Sequence, residues 1–177
     1  EFSISEGDAF NPILIRKTEE KLQRLGYFKE LELSVSPGST AEQAIIVVEV
    51  EEGSTGSLNF GAGYSTDTEV SGTISLSERN FLGRGQRLLF EVLTSASNKR
   101  VKFGFTEPTF LNRDLSANID FTYLDLEPRQ SSYTANESSI KTGFGFSLGP
   151  DSSLTTSLKL SEEKIIVPSN TESLILK

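Results

Sequence analysis

Few residues in this chain could carry acid–base chemistry. Glu51-Glu52 and Glu162-Glu163 are adjacent carboxylates, and a dyad that shares a proton needs both acids on one face. Neighbours on a strand point to opposite faces, so each pair reads as a solvated edge. Gly83-Arg84-Gly85 has the start of a nucleotide-loop spacing, but no third glycine and no helix follow it. Asp67, Glu69, Asp125 and Glu127 read as loop acids whose spacing is not that of an EF-hand. The chain holds no His and no Cys. That removes Ser–His and Cys–His nucleophiles, thiolate sites and the usual zinc sites together. The expectation is a protein that is not an enzyme and uses no cofactor and no metal.

Charge narrows the partners. Seventeen Lys+Arg stand against 25 Asp+Glu over 177 residues, a net charge of −8. Phosphate neutralisation needs a basic face, so nucleic acid is excluded as a partner. The longest apolar run is the five residues 44–48, far short of the roughly twenty a spanning helix needs. Strands of a membrane barrel alternate and escape that test. The chain opens on Glu1-Phe2-Ser3 with no basic-then-apolar leader. It therefore reads as a piece of a longer precursor, or as a cytosolic protein.

Two unlike parts meet near Glu51-Glu52-Gly53-Ser54. Residues 1–53 hold five Lys+Arg against eleven acids and read α–β–β. Asn11-Pro12 starts a helix, with Asn as the cap and Pro at its first position. Leu14, Ile15, Thr18, Leu22 and Leu25 recur at helical spacing, and Gly26 ends the run. Leu31, Leu33 and Val35 alternate in one strand. Ala44–Val50 form a second, near enough for an antiparallel hairpin. One helix on two strands is a small core.

Residues 54–177 alternate with period two through seven stretches of about nine to eleven residues. One face is Leu, Phe, Ile, Val and Tyr. The other is Gly, Ser, Thr and Asn with scattered charge. A soluble sandwich would point the apolar face inward and carry dense charge outside. A small, neutral polar face better suits the inside of a large barrel, with the apolar face in lipid. Turn residues separate the stretches at Thr66-Asp67, Leu82–Gly85, Ser97-Asn98, Pro108 to Asp114, Pro128 to Asn136 and Gly149-Pro150-Asp151. Arg84, Arg87, Arg100, Lys102 and Arg113 fall near turn ends or on the polar face, where they would meet lipid head groups or line the barrel.

Four motifs stand in one order along the chain. Glu6-Gly7-Asp8 to Phe10, Leu25-Gly26-Tyr27-Phe28 and the strand ending Val48-Glu49-Val50-Glu51-Glu52 resemble the closing half of a POTRA domain. Thr55 to Thr66 resembles the first barrel strand of the BamA family, the outer-membrane β-barrel assembly factors. Asn80-Phe81-Leu82-Gly83-Arg84-Gly85 resembles that family's turn after the second strand. Glu107-Pro108-Thr109-Phe110 is similar to its turn between strands four and five, with Glu in place of Asn.

This resemblance implies a mainly β fold: a partial α+β POTRA domain (residues 1–53) followed by the first half of a transmembrane antiparallel β-barrel (residues 54–177). It implies a bacterial outer-membrane location with the POTRA part in the periplasm. It implies the folding and insertion of other barrel proteins, without ATP or covalent chemistry. The partners implied are unfolded outer-membrane proteins, accessory lipoproteins of the BamD type and the lipid bilayer. The client strand would add to the first barrel strand through Gly56, Ser57, Leu58, Asn59, Phe60, Gly61, Ala62, Gly63 and Tyr64. Gly61 and Gly63 would either weaken pairing there or relieve crowding inside the barrel. In the POTRA part, Leu31, Glu32, Leu33, Ser34 and Val35 offer a sheet edge, and Glu6 matches an acid at the lipoprotein contact. Two other readings stand: a two-partner-secretion transporter of the same superfamily, and a soluble β-sandwich adhesin or binding module.

Overall fold

The computed structural model describes residues 2–40, 43–66, 69–127, 133–149 and 152–167. It separates into two units, Glu1–Thr55 and Gly56–Lys177.

In the first unit, helix α1 (Pro12–Leu25) begins where Asn11 supplies the capping oxygen. Asn11 Oδ1 accepts from the backbone N–H groups of Ile13 at 3.0 Å and Leu14 at 3.3 Å. These are two of the donors a helix start leaves unmatched. Gly26 closes the helix at φ 65°, donating its N–H to Gln23 O, a left-handed cap that glycine adopts freely. The buried stripe is Ile15, Thr18 and Leu22. Thr18 is 1% exposed, and its hydroxyl accepts from Ser3 N at 3.0 Å. Strands β1 (Phe28–Pro37) and β2 (Ala44–Glu52) form an antiparallel pair, with Leu31 opposite Val50, Leu33 opposite Val48 and Val35 opposite Ile46. The helix packs on β1, and Leu31 and Leu33 are its half-buried positions among the alternating residues.

The second unit is one antiparallel meander. Its strands are β3 (Gly56–Ser65), β4 (Glu69–Phe81), β5 (Gln86–Ser95), β6 (Asn98–Glu107), β7 (Leu115–Leu126), β8 (Thr134–Gly149) and β9 (Ser152–Ile166). Each pairs with the next, so β3 and β9 are the edges among the described residues. The sheet is open. The seven alternating stretches of the sequence are these seven strands, but β8 and β9 run longer than expected. Thr134–Asn136, expected in a turn, already pair with β9. Asp125, expected in a loop, is inside β7 and lies 3.8 Å from Lys99, while Glu69 opens β4. Cross-strand pairing pulls these polar residues into strands that alternation alone could not reveal. The expected turn residues Asp67, Pro128 to Ser132, Pro150 and Asp151 lie outside the described residues.

Register aligns the apolar positions into a continuous sheet face. Phe60 is opposite Ile74, Ile74 opposite Val92, and Val92 opposite Val101. Phe90 is opposite Phe103, Phe103 opposite Phe121, and Phe121 opposite Ile140. Ile140 is opposite Leu160. Phe60 at 73% and Phe103 at 39% are exposed on this face, while Val92 and Val101 are half-buried. Side chains on a strand alternate, so the other face carries Ser, Thr, Asn, Gly and most of the charges. There Glu91 faces Lys102 across the ladder and lies 3.7 Å from Arg100.

Candidate functional site

Strand β3 is the candidate site, and its position in the sheet sets its properties. All ten of its residues are exposed. It pairs with β4 alone among the described residues, with Ser57 opposite Ser77, Leu58 opposite Leu76, Phe60 opposite Ile74 and Tyr64 opposite Val70. In an antiparallel pair, alternate residues turn their N–H and C=O groups away from the partner strand. Such a row is a template for a further strand.

Side-chain support of β3 is thin on the polar face. Ser57 Oγ and Ser77 Oγ share a hydrogen bond of 2.8 Å. Ser71 Oγ donates to Gly63 O at 3.4 Å. Gly61 lies opposite Thr73 and Gly63 opposite Ser71. A Cβ at Gly61 would sit 3.8 Å from Thr73 Cβ, which is ordinary contact, and one at Gly63 would meet only the rotatable Ser71 Oγ, at 3.2 Å. Crowding by β4 therefore does not demand glycine at position 61.

Elsewhere on the polar face the fit is tighter. A Cβ at Gly143 would lie 2.7 Å from Asn118 Oδ1 and 3.1 Å from Thr156 O, and one at Gly104 would lie 2.9 Å from Asp120 Oδ1. Asn118 and Asp120, hydrogen-bonded at 2.9 Å, fill the space these glycines leave. Leu89 stands by alternation on the same face as these glycines, opposite Gly104; the unbroken run Leu88-Leu89-Phe90 is the sign in the sequence that this strand is apolar on both faces.

The residues expected at a second contact lie in the first unit. Leu31, Glu32, Leu33, Ser34 and Val35 lie in β1, whose one strand partner among the described residues is β2. Glu6 is exposed at the tip of a turn in which Asp8 N donates to Ser5 O and Ser5 N donates to Asp8 Oδ2. Gly7 follows at φ 90°, the positive value a type II turn requires. Glu6 lines a cavity with Phe2, Phe10 and the start of β2 at Ala44–Ile46. The structure does not gather it with the β1 positions around that cavity.

The two turn motifs are built by their own side chains. Asn80 Oδ1 accepts from Gly85 N at 2.7 Å, and Asn80 O accepts from Gly83 N at 2.9 Å. Glu107 Oε1 accepts from Thr109 N at 3.1 Å, and Glu107 Oε2 from Gln86 Nε2 at 2.7 Å. Among the described residues no three acids are grouped to hold a metal ion.

Comparison with known proteins agrees with this architecture. A model described as the Omp85 superfamily domain matches residues 80–175, and one described as the surface antigen variable number repeat, POTRA, matches residues 1–53. The outer membrane protein assembly factor BamA of Nitratidesulfovibrio vulgaris is 34% identical over 122 residues, covering 68% of this chain and 15% of that protein. BamA of Neisseria meningitidis is 25% identical over 128 residues, covering 72% and 16%. The chain thus spans about a sixth of the length of these relatives. The crystal structure of Haemophilus ducreyi BamA lacking POTRA domains 1–3 superposes with a TM-score of 0.77 at 24% identity, over 93% of this chain and 32% of that one. CdiB from Acinetobacter baumannii superposes with a TM-score of 0.64 at 12% identity, over 95% and 35%. These two likenesses carry the fold. The superfamily model alone covers more than half of the sequence, and this chain therefore belongs to the Omp85 superfamily as a BamA-type outer-membrane protein whose POTRA portion is periplasmic.

Proposed function

We propose that this chain is part of an outer-membrane assembly factor that folds and inserts client β-barrels by adding a client strand to β3. Residues 1–53 are the closing part of its last POTRA domain, and residues 54–177 are the opening strands of its barrel. The observation that carries the reading is the light hold on β3, whose polar-face glycines at 61 and 63 stand opposite Thr73 and Ser71 without close packing, in a chain whose relatives are named as assembly factors. Binding is through the backbone of Ser57–Tyr64, on the strand that Gly56 opens. It needs no ATP and no covalent step. The β1 edge at Leu31–Val35 receives extended segments in the same way, and Glu6 faces an accessory lipoprotein of the BamD type.

The test uses the full-length protein. Proline has no N–H to offer a client and cannot sit mid-sheet. Proline placed in turn at Asn59–Gly63 is expected to abolish client insertion at those positions whose N–H faces away from β4, while the barrel still folds. Proline at Phe103, in a strand paired on both sides, is expected to break folding instead. Cysteines along Ser57–Ser65 are expected to crosslink a stalled client in a pattern alternating by two. Intact assembly with every proline, together with no crosslink, would leave β3 as a wall and nothing more. The second reading, a secretion transporter of the same superfamily, has the likeness to the CdiB fold in its favour. It predicts crosslinks to one exported substrate and none to nascent barrels.

A further inference from the structure

The sheet end at which the chain enters β3 carries apolar tips that strand pairing does not use. The β4–β5 turn and the β6–β7 turn stand there together, because each strand of the meander reverses the last. The first turn presents Leu82, 73% exposed, at φ 57°. The second presents Leu111, 72% exposed, also at φ 57°. This left-handed region favours glycine and asparagine, so two leucines held there in neighbouring turns are not explained by backbone preference. A lone exposed leucine on a soluble surface needs no explanation. Three further observations make these different.

The second turn folds onto the apolar face. Phe110, in the 3-10 turn Phe110–Asn112, contacts the ring of Phe144 with centroids 6.0 Å apart. Phe144 belongs to the outward apolar face, opposite Ala117. The turn is therefore on the lipid side of the sheet and continues that face. Leu148, at the same end of β8, extends it at 66% exposure. At this level the face also becomes polar: Gln86 and Glu107, hydrogen-bonded at 2.7 Å, occupy the last outward positions of β5 and β6. Such a change marks the edge of the hydrocarbon. The interfacial zone extends roughly 5–7 Å beyond that edge, about the reach of one turn. Finally, Arg84 and Arg113 are exposed within the two turns, where a phosphate would meet them. Asp114 beside Arg113 is the one acid within the two turns.

The geometry points to a membrane-interface anchor in which Leu82, Phe110 and Leu111 seat in the headgroup–acyl boundary of a phospholipid leaflet, with Arg84 and Arg113 on its phosphates. The leaflet is the periplasmic one, because this is the end at which the chain enters the sheet from its periplasmic portion. The inference rests on the outward apolar face being in lipid. It fixes the height of the sheet in the bilayer independently of what β3 binds.

The experiment uses full-length protein in vesicles of phosphatidylethanolamine and phosphatidylglycerol, with single cysteines at Leu82, Leu111, Phe121 and Glu6 carrying an environment-sensitive fluorophore. Nitroxides are placed in the lipid at headgroup depth or mid-chain. Positions 82 and 111 are expected to be quenched several-fold more by the headgroup nitroxide than by the mid-chain one, position 121 the reverse, and position 6 by neither. Quenching at 121 with none at 82 and 111 would overturn the anchor while leaving the lipid-facing sheet intact. No quenching at 121 would overturn both. Leu82→Asp with Leu111→Asp is expected to slow insertion into vesicles several-fold while leaving folding in detergent unchanged. Equal slowing in both media would assign the leucines to the fold and refute the anchor.

Discussion

A lone arginine on either side of one strand separates the two faces of the sheet. Phe121 is the seventh of the twelve residues of β7, near its middle, with Phe103 on one side and Ile140 on the other. It is 40% exposed, with no packed layer over it. If that exposure is to lipid, Phe121→Arg puts a charge near mid-membrane with no acid beside it. Such a charge costs about 2–4 kcal/mol at the midplane of a barrel. That is roughly a 30- to 700-fold loss in the folding constant. Thr122 is one residue along and on the opposite face, between Lys102 and Ser139. Thr122→Arg adds a like charge near Lys102 in water, a repulsion of a few tenths of a kcal/mol. The assay is a urea titration of the full-length protein refolded into vesicles, followed by the mobility shift of the folded barrel. Equal cost at the two positions, or a larger cost at Thr122, would refute the assignment of faces.

Three other outcomes are expected. Asn80→Ala removes the acceptor for Gly85 N and should cost about 1 kcal/mol in the same titration, while Asn80→Asp should recover most of it. Gly143→Ala should cost about 1–3 kcal/mol, because its Cβ meets Asn118 Oδ1 and the backbone oxygen of Thr156; Gly61→Ala should stay within about 0.5 kcal/mol, and equal costs would contradict the glycine packing. The 177 residues alone should be monodisperse in detergent and aggregate without it, through the exposed apolar face and the β3 and β9 edges; a detergent-free monomer by light scattering would restore the β-sandwich.

Legibility in the sequence followed how local each signal was. The helix was readable at both ends, because Asn11-Pro12 and Gly26 act on the backbone beside them. The seven strands were readable wherever apolar and small polar residues alternate. Alternation fails at residues 134–139 (Thr-Ala-Asn-Glu-Ser-Ser) and at Glu162-Glu163-Lys164, which are strand only because each has the other as partner. Cross-strand pairing of this kind is not a local property. The same holds for Asp125, whose place in β7 depends on the Lys99 strand beside it. The motif Asn80 to Gly85 was readable as a turn, but the closing bond from Gly85 N to the Asn80 side chain was not. Leu82 and Leu111 were legible as turn residues, but their positive φ was not, since at leucine it has no signature in composition.

The edge at β3 shows what remains when pattern is used up. Its alternation is as regular as that of β7, and no residue type distinguishes an edge from an interior strand. The difference lies in how it is held. β7 has ladders on both sides and a polar layer in which Asn118 and Asp120 lock against glycines across the strands. Among the described residues β3 has one ladder, outward pairs such as Phe60 with Ile74, and on the polar face two glycines whose missing side chains β4 could have accommodated almost unaided. A strand anchored through one side of its backbone, and lightly through its side chains, can shift or part from its neighbour at lower cost than any interior strand. That is the property the proposed exchange with a client strand requires. It also explains why the proline test discriminates: loss of a donor on the outward side of β3 takes nothing from the β3–β4 ladder, whereas β6, which holds Phe103 between β5 and β7, has no unpaired side to spare.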